Sequence, residues 1–126
     1  MLNTVLYRAK LKNDKSAWVY GVPYKPITQP RDSYDRMFMY TEYMNRFEID
    51  TNTLGQYCGY NDDINRTMIF EGDIIIVNPS IFGSSIERKV CVVDDIRSIT
   101  RIVSGLKQIE VIGNIYDNPE LLEEVK

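Results

Sequence analysis

Four carboxylates and two thiols are the residues of this chain best equipped for chemistry. Asp62 and Asp63 stand side by side, and Glu71-Gly72-Asp73 places two more acids one residue apart. Oxygen donors of this kind suit Mg²⁺ or Ca²⁺, and a bound cation would make the chain a metal-dependent enzyme. Cys58 and Cys91 are candidate nucleophiles, provided that a basic neighbour or a helix N-terminus lowers the thiol pKa. Each feature also has a plainer explanation. Gly72 permits a positive φ, and Asp73 can accept from turn amides just before an apolar strand, so Glu71-Gly72-Asp73 reads as a turn. Asn61-Asp62-Asp63 lacks both the alternating ligands and the bend glycine of a metal loop, and reads as a solvated hairpin loop. Cys91 lies in KVCVV, a buried strand by composition, and Cys58 has no catalytic partner in view.

Histidine is absent, which excludes a histidine triad, a histidine base and histidine-ligated metal. Two cysteines are too few for an all-cysteine zinc site. The sequence therefore assigns no catalytic residue, no metal ligand and no cofactor, and the chain reads as a non-enzyme.

Recognition is the other chemistry available. There are nine tyrosines and one tryptophan, and Arg8, Lys10, Lys12 and Lys15 interleave with Tyr7 and Trp18. Surface Tyr and Arg together stack bases or anchor a protein partner. Trp18 reads as core or cross-strand packing. Tyr7, Arg8, Tyr24 and Tyr34 form the candidate interaction surface, the last two in or beside a loop bounded by Pro23, Pro26 and Pro30.

Length and composition limit what can hold these residues in place. A chain of 126 residues, 44% hydrophobic and 26% charged, suits one compact domain, or one small domain with an N-terminal extension. Residues 1–36 carry seven basic and three acidic groups, residues 37–76 two and seven, and the last ten one and four. The basic excess at the N-terminus is modest, and the overall charge of −3 argues against strong phosphate-driven binding. No apolar run approaches the roughly 18 residues a membrane span needs. The start of the chain lacks signal-peptide features, and the cysteines read as reduced, so a cytoplasmic location is expected.

The elements follow from alternation and turn chemistry. Leu2–Leu11 and Ala17–Val22 read as strands joined by an Asn13-Asp14-Lys15-Ser16 turn. Three prolines make Tyr24–Ser33 a loop. Met37–Ile49 reads as a single strand from its aromatic and Thr content, closed by a turn at Asp50–Thr53. Asp73–Val77, Glu87–Val93, Ser98–Val103 and Lys107–Tyr116 read as strands, with Asn78–Ser85 a loop. Gly113 marks a bulge or bend in the last strand. Asn118 caps a short helix with Pro119 at its first position.

Several motifs in order carry a family resemblance. Leu54-Gly55-Gln56-Tyr57, Gly59, Asp62-Asp63 and Ile69-Phe70-Glu71-Gly72-Asp73-Ile74 resemble the YopX family of phage and prophage proteins. Glu110–Leu122 (EVIGNIYDNPELL) resembles the family's closing motif, and Tyr7-Arg8 with Trp18-Val19-Tyr20-Gly21 its opening. Residues 22–53 and 75–109 are unmatched. The chain departs where the family has Thr-Gly-Leu, here Cys58-Gly59-Tyr60. It departs again where the family has an Asn-Gly hairpin turn, here Ile64-Asn65, so a longer turn or another type is expected. The resemblance implies a YopX-like fold with an SH3-like barrel and a phage or prophage origin. It implies no activity.

The expected fold is mainly β: an N-terminal β-hairpin subdomain with its proline-bounded loop (1–53), a small SH3-like β-barrel or roll (54–126) and a short C-terminal helix. A single YopX-like unit over 1–126 is the alternative. Gly55, Gly59, Glu71, Gly72, Asp73 and Gly113 are its turn and bulge positions. The expected function is a small interaction module that binds a protein partner or self-associates as a homo-oligomer. The alternatives are a nucleic-acid-binding module and, third, a metal-dependent enzyme.

Overall fold

A computed structural model of the chain describes residues 6–26, 36–78, 89–94 and 108–123. The fold is mainly β, with antiparallel pairing throughout and one short helix among the described residues. The chain divides into two units, residues 1–56 and 57–126.

The first unit is a meander of four strands, β1 (Tyr7–Lys10), β2 (Trp18–Tyr24), β3 (Met37–Tyr40) and β4 (Arg46–Ile49). β1 pairs with β2 from Tyr7↔Gly21 to Lys10↔Trp18. The turn between them closes as its composition dictates: the Ser16 amide and hydroxyl both donate to Asp14 Oδ1, at 3.1 and 2.6 Å. β2 continues through Pro23, which lies opposite Met39, and ends at Tyr24, two residues beyond the expected end at Val22. Described pairing of β2 with β1 stops at Gly21. Pro23 therefore needs no donor on that side, the circumstance in which a strand tolerates proline.

The single strand expected over Met37–Ile49 is two. β3 and β4 pair from Met37↔Ile49 to Tyr40↔Arg46 and turn through Thr41–Asn45. The turn contains no Gly or Pro to signal it, and Met44 takes the left-handed position at φ 67°.

The meander curls back on itself. Ile49 bridges Leu11 at the end of β1, with Lys12 N donating to Glu48 O at 3.0 Å and Asp50 N to Lys10 O at 2.8 Å. Inside the curl lie Ala9, Val19, Met39 and Ile49, with Tyr7, Leu11, Met37 and Leu54 packed around them. Period-two alternation puts these residues on one side of every strand. A single 3-10 turn, Thr51–Thr53, follows, with the Asp50 side chain accepting from Asn52 N. The buried Thr53 hydroxyl accepts from Lys10 N at 2.8 Å and donates to Asp50 O at 2.7 Å. β5 (Gly55–Asn61) begins here, with Gly55 and Gln56 opposite Arg8 and Tyr7.

In the second unit, Tyr57 and Asn61 of β5 lie opposite Phe70 and Met68 of β6 (Met68–Phe70). The turn between them is long, as the missing Asn-Gly led one to expect. Asp62 N donates to Thr67 O at 2.8 Å across four loop residues, and Arg66 takes the left-handed position at φ 61°. A three-stranded sheet follows in the order β8-β7-β9, from β7 (Asp73–Asn78), β8 (Lys89–Val92) and β9 (Gln108–Asn114). Its core joins Ile75, Val77, Val93 and Ile109 to Cys58 and Ile69. The described strands of this unit do not close into a barrel. The strand expected at Ser98–Val103 and the loop residues 79–85 lie outside the described residues.

Gly72 launches β7 from a turn at φ +93°, backbone that an L side chain resists. Its amide donates to Val93 O at 2.8 Å, and its carbonyl accepts from Ile115 N at 2.9 Å. In β9 the register slips where Ile74↔Gly113 gives way to Ile75↔Val111, so Ile112 is the extra residue of a bulge. Helix α1 (Glu120–Glu123) ends the described chain. The Asn118 side chain does not cap it. Its Oδ1 turns back to accept from Asn114 N at 3.2 Å, and Leu121 N donates instead to the Asn118 main-chain carbonyl at 3.1 Å.

Candidate interaction surface

The curl of the first unit has an outer face, and the strand registers say what stands on it. Trp18, Tyr20, Val22 and Tyr24 alternate along β2 with the inward Val19 and Gly21. Opposite them stand Lys10, Arg8, Tyr40 and Phe38, and beyond Tyr40 and Phe38 stand Arg46 and Glu48. Paired residues share a face, so aromatic and cationic side chains gather here.

Two cation–aromatic groups result. At one end the Arg8 guanidinium lies 4.5 Å from the Trp18 ring centroid and the Lys10 ammonium 5.4 Å. Both cations are buried, at 8% and 7% exposure. At the other end Phe38 meets Arg36 at 5.2 Å, Arg46 at 5.9 Å and the stacked Tyr24 ring at 6.0 Å. Tyr40 meets Tyr24 edge-on. Glu48 neutralises Arg36 through two 3.2 Å bonds, the bidentate geometry that suits a guanidinium. Arg46 has no carboxylate partner among the described residues.

The β3–β4 hairpin carries the most exposed large apolar side chains among the described residues, Tyr43 at 76% and Met44 at 74%. Its backbone is tightly held: Thr41 N donates to Asn45 O at 2.8 Å, Met44 N to Thr41 O at 3.1 Å and Tyr43 N to Thr41 Oγ1 at 3.3 Å. This is a type I turn followed by a left-handed residue, a position that favours Gly or Asn. Holding Met44 there costs about 1–2 kcal/mol. The Tyr40 hydroxyl reaches its sulfur at 3.5 Å.

Of the residues singled out from the sequence, Tyr24 stands on this face. Arg8 shares the face by register but lies buried beside Trp18, Tyr7 packs against the inner core, and Tyr34 is outside the described residues. Sequence reasoning did not single out Tyr43, Met44 or Arg46. The signal available was the polar run Thr41-Glu42 between aromatic pairs, read in the expected strand as continuous β.

The acidic residues are occupied in holding backbone. Asp62 is 1% exposed, in contrast to the solvated loop expected of it. Its Oδ1 accepts from Asn65 N at 2.9 Å and Thr67 N at 3.0 Å, and its Oδ2 from Val111 N at 3.1 Å. Burial pushes its pKa up, but the amides of Val111, Thr67, Asn65 and Arg66 outweigh it and hold the carboxyl below its ordinary value. Asp63 N donates to Ile109 O, and Asp63 Oδ2 accepts from Ile109 N, both at 2.8 Å. Asp73 Oδ2 accepts from Phe70 N at 2.8 Å, and Glu71 is half-buried beside it in the turn. No three Asp, Glu, Cys or His side chains come together as a metal site among the described residues. Cys58 lies buried in the core and Cys91 at its margin. Gly55 is buried at the start of β5, and Gly59 takes φ +87° within it.

No described helix is long and apolar enough to cross a membrane. No curated protein and no solved structure matches the chain. The family model described as YopX protein matches residues 6–123, and the chain belongs to the YopX family.

Proposed function

We propose that this chain is a non-enzymatic interaction module, phage- or prophage-encoded and acting in the host cytoplasm, whose working surface is the β3–β4 hairpin and the outer face beside it. The observation that carries this reading is Met44. A large apolar side chain sits three-quarters exposed at a position where glycine would cost less. Backbone strain retained where a cheaper residue exists points to a use for the side chain. Its exposed neighbour Tyr43 is of a type that anchors protein interfaces. The partner is another protein or a second copy of this chain. The SH3-like barrel belongs to the same proposal for residues 54–126, supported by the bend that the Ile112 bulge puts into β9.

The test compares host extract retained by the wild-type protein and by the Tyr43→Ala/Met44→Gly double variant. Light scattering of both variants covers self-association. A partner, or an oligomer, lost in the double variant supports the reading. Identical retained proteins and identical mass for the two would sink it.

A nucleic-acid-binding module is the second reading, favoured by the cations stacked on Trp18 and Phe38. It is weakened by the burial of Arg8 and Lys10 and by the pairing of Arg36 with Glu48. A mobility-shift titration at low salt that shows no complex removes it. The metal-dependent enzyme ranks third, since Asp62, Asp63 and Asp73 all accept from backbone amides. Calorimetry with Mg²⁺, Mn²⁺ and Ca²⁺ that yields no heat removes its basis.

A further inference from the structure

Three residues form a row straight across the outer face: Val22 of β2, Tyr40 of β3 and Arg46 of β4. Neighbouring strands are about 4.8 Å apart, so the row is apolar at one end and cationic at the other over about 10 Å. Val22 is 53% exposed and Tyr40 41%, with Tyr20 at 44% further along β2. We propose that this row binds an acidic linear segment of a protein partner, its carboxylate on Arg46 and an apolar side chain on Val22 and Tyr40. The inference rests on the interaction-module reading and names the chemistry of the partner.

Charge complementarity carries the argument. Arg36, in the neighbouring row, has its carboxylate in Glu48. Arg46 has none among the described residues, and lies 5.9 Å from the Phe38 ring. A guanidinium held against a ring has lost part of its rotamer freedom before any ligand arrives, which lowers the cost of binding. The carboxylate fork is its natural complement. An extended chain advances about 3.3 Å per residue. The row therefore matches a segment with an aliphatic or aromatic residue two or three positions from an Asp or Glu. A polynucleotide fits less well, because phosphate-driven affinity grows with the number of accessible cations. The row itself holds one cation, Arg46, and of the cations beside it Arg8 and Lys10 are buried by Trp18 and Arg36 is neutralised.

The experiment selects from a displayed library of linear decapeptides on the full chain. Expected is enrichment of peptides pairing an acidic with an apolar residue at the stated spacing. Replacing that acid by its amide should weaken binding about tenfold or more, the loss of a charge-assisted bond. Arg46→Glu should abolish the enrichment, Arg46→Lys should retain part of it, and circular dichroism should be unchanged in both. Enriched peptides with no acidic preference would overturn this inference and leave the interaction module standing. No enrichment on the wild-type chain would also overturn it, the module itself being judged by the extract comparison. A labelled single-stranded 20-mer is titrated in parallel. Tighter binding than the peptides, lost in Arg46→Glu, would give the row to nucleic acid and overturn the proposal.

Discussion

Asp62 and Val111 lie 49 positions apart and meet in one bond, Val111 N to Asp62 Oδ2 at 3.1 Å. With the Asp63–Ile109 pair it fixes the β5–β6 loop against β9. Alternate amides of β9, at Ile109 and Val111, thereby find carboxylates. This occupies donors through which another strand would attach.

The Asp62 carboxyl titrates below its ordinary value in the folded protein. The unfolded chain therefore binds the proton first as pH falls, and stability rises with pH across that window. The contribution is complete above the unfolded value of about 4 and is lost as pH falls through the folded one. Urea unfolding between pH 2 and 6 should show this slope. Asp62→Asn should flatten it, and at pH 7 should cost about 1–3 kcal/mol, because an amide group cannot accept at both oxygen positions.

Met44→Gly relieves the left-handed backbone at φ 67°. The variant should gain about 1 kcal/mol in chemical denaturation, an unusual sign for a large-to-Gly change. A loss of stability instead would mean that the contact of the Met44 sulfur with the Tyr40 hydroxyl outweighs the backbone strain, and the reading of Met44 as a displayed residue would fail.

Thr53→Val keeps the shape of the side chain and removes its hydroxyl. Lys10 N then loses its partner at a buried position, and Asp50 O keeps only the Thr53 amide. The expected cost is about 1–3 kcal/mol, with Thr53→Ser recovering most of it. Equal losses for Val and Ser would assign the effect to packing of the methyl group.

A Cβ at Gly113 would fall 2.6 Å from Asn118 Oδ1 and 2.8 Å from its Cγ. Gly113→Ala must therefore displace the side chain that accepts from Asn114 N. In the Asn118→Ala background the same substitution should cost measurably less. Additive effects in this double-mutant cycle would show that the two positions do not meet.

Much of the fold was legible in the sequence because it is local. Asn13-Asp14 announces the first hairpin, and Glu71-Gly72-Asp73 announces β7. What escaped has physical reasons. Thr41–Asn45 hides a hairpin because its left-handed residue is Met44, not glycine. The burial of Asp62 depends on β9, far along the chain, and no local pattern reports it. Asn118 resembles a helix cap, but the β9 amide at Asn114 competes for the same oxygen. The surface was only partly legible. Aromatic and basic residues are visible in a sequence, whereas Arg8 going under cover and Arg46 staying out is decided by cross-strand neighbours.

The Leu11–Ile49 bridge has a kinetic consequence. β1–β2 and β3–β4 are hairpins that pair over short stretches of chain, and each can form early. The bridge joins the end of β1 to β4, across 38 positions, and has to wait for both hairpins. Loop-closure entropy therefore predicts that closing the circuit is a late event, beyond the folding barrier. Weakening it, for instance by Leu11→Ala, should quicken unfolding and leave the refolding rate almost untouched. The bridge acts as a clasp whose strength sets the lifetime of the first unit.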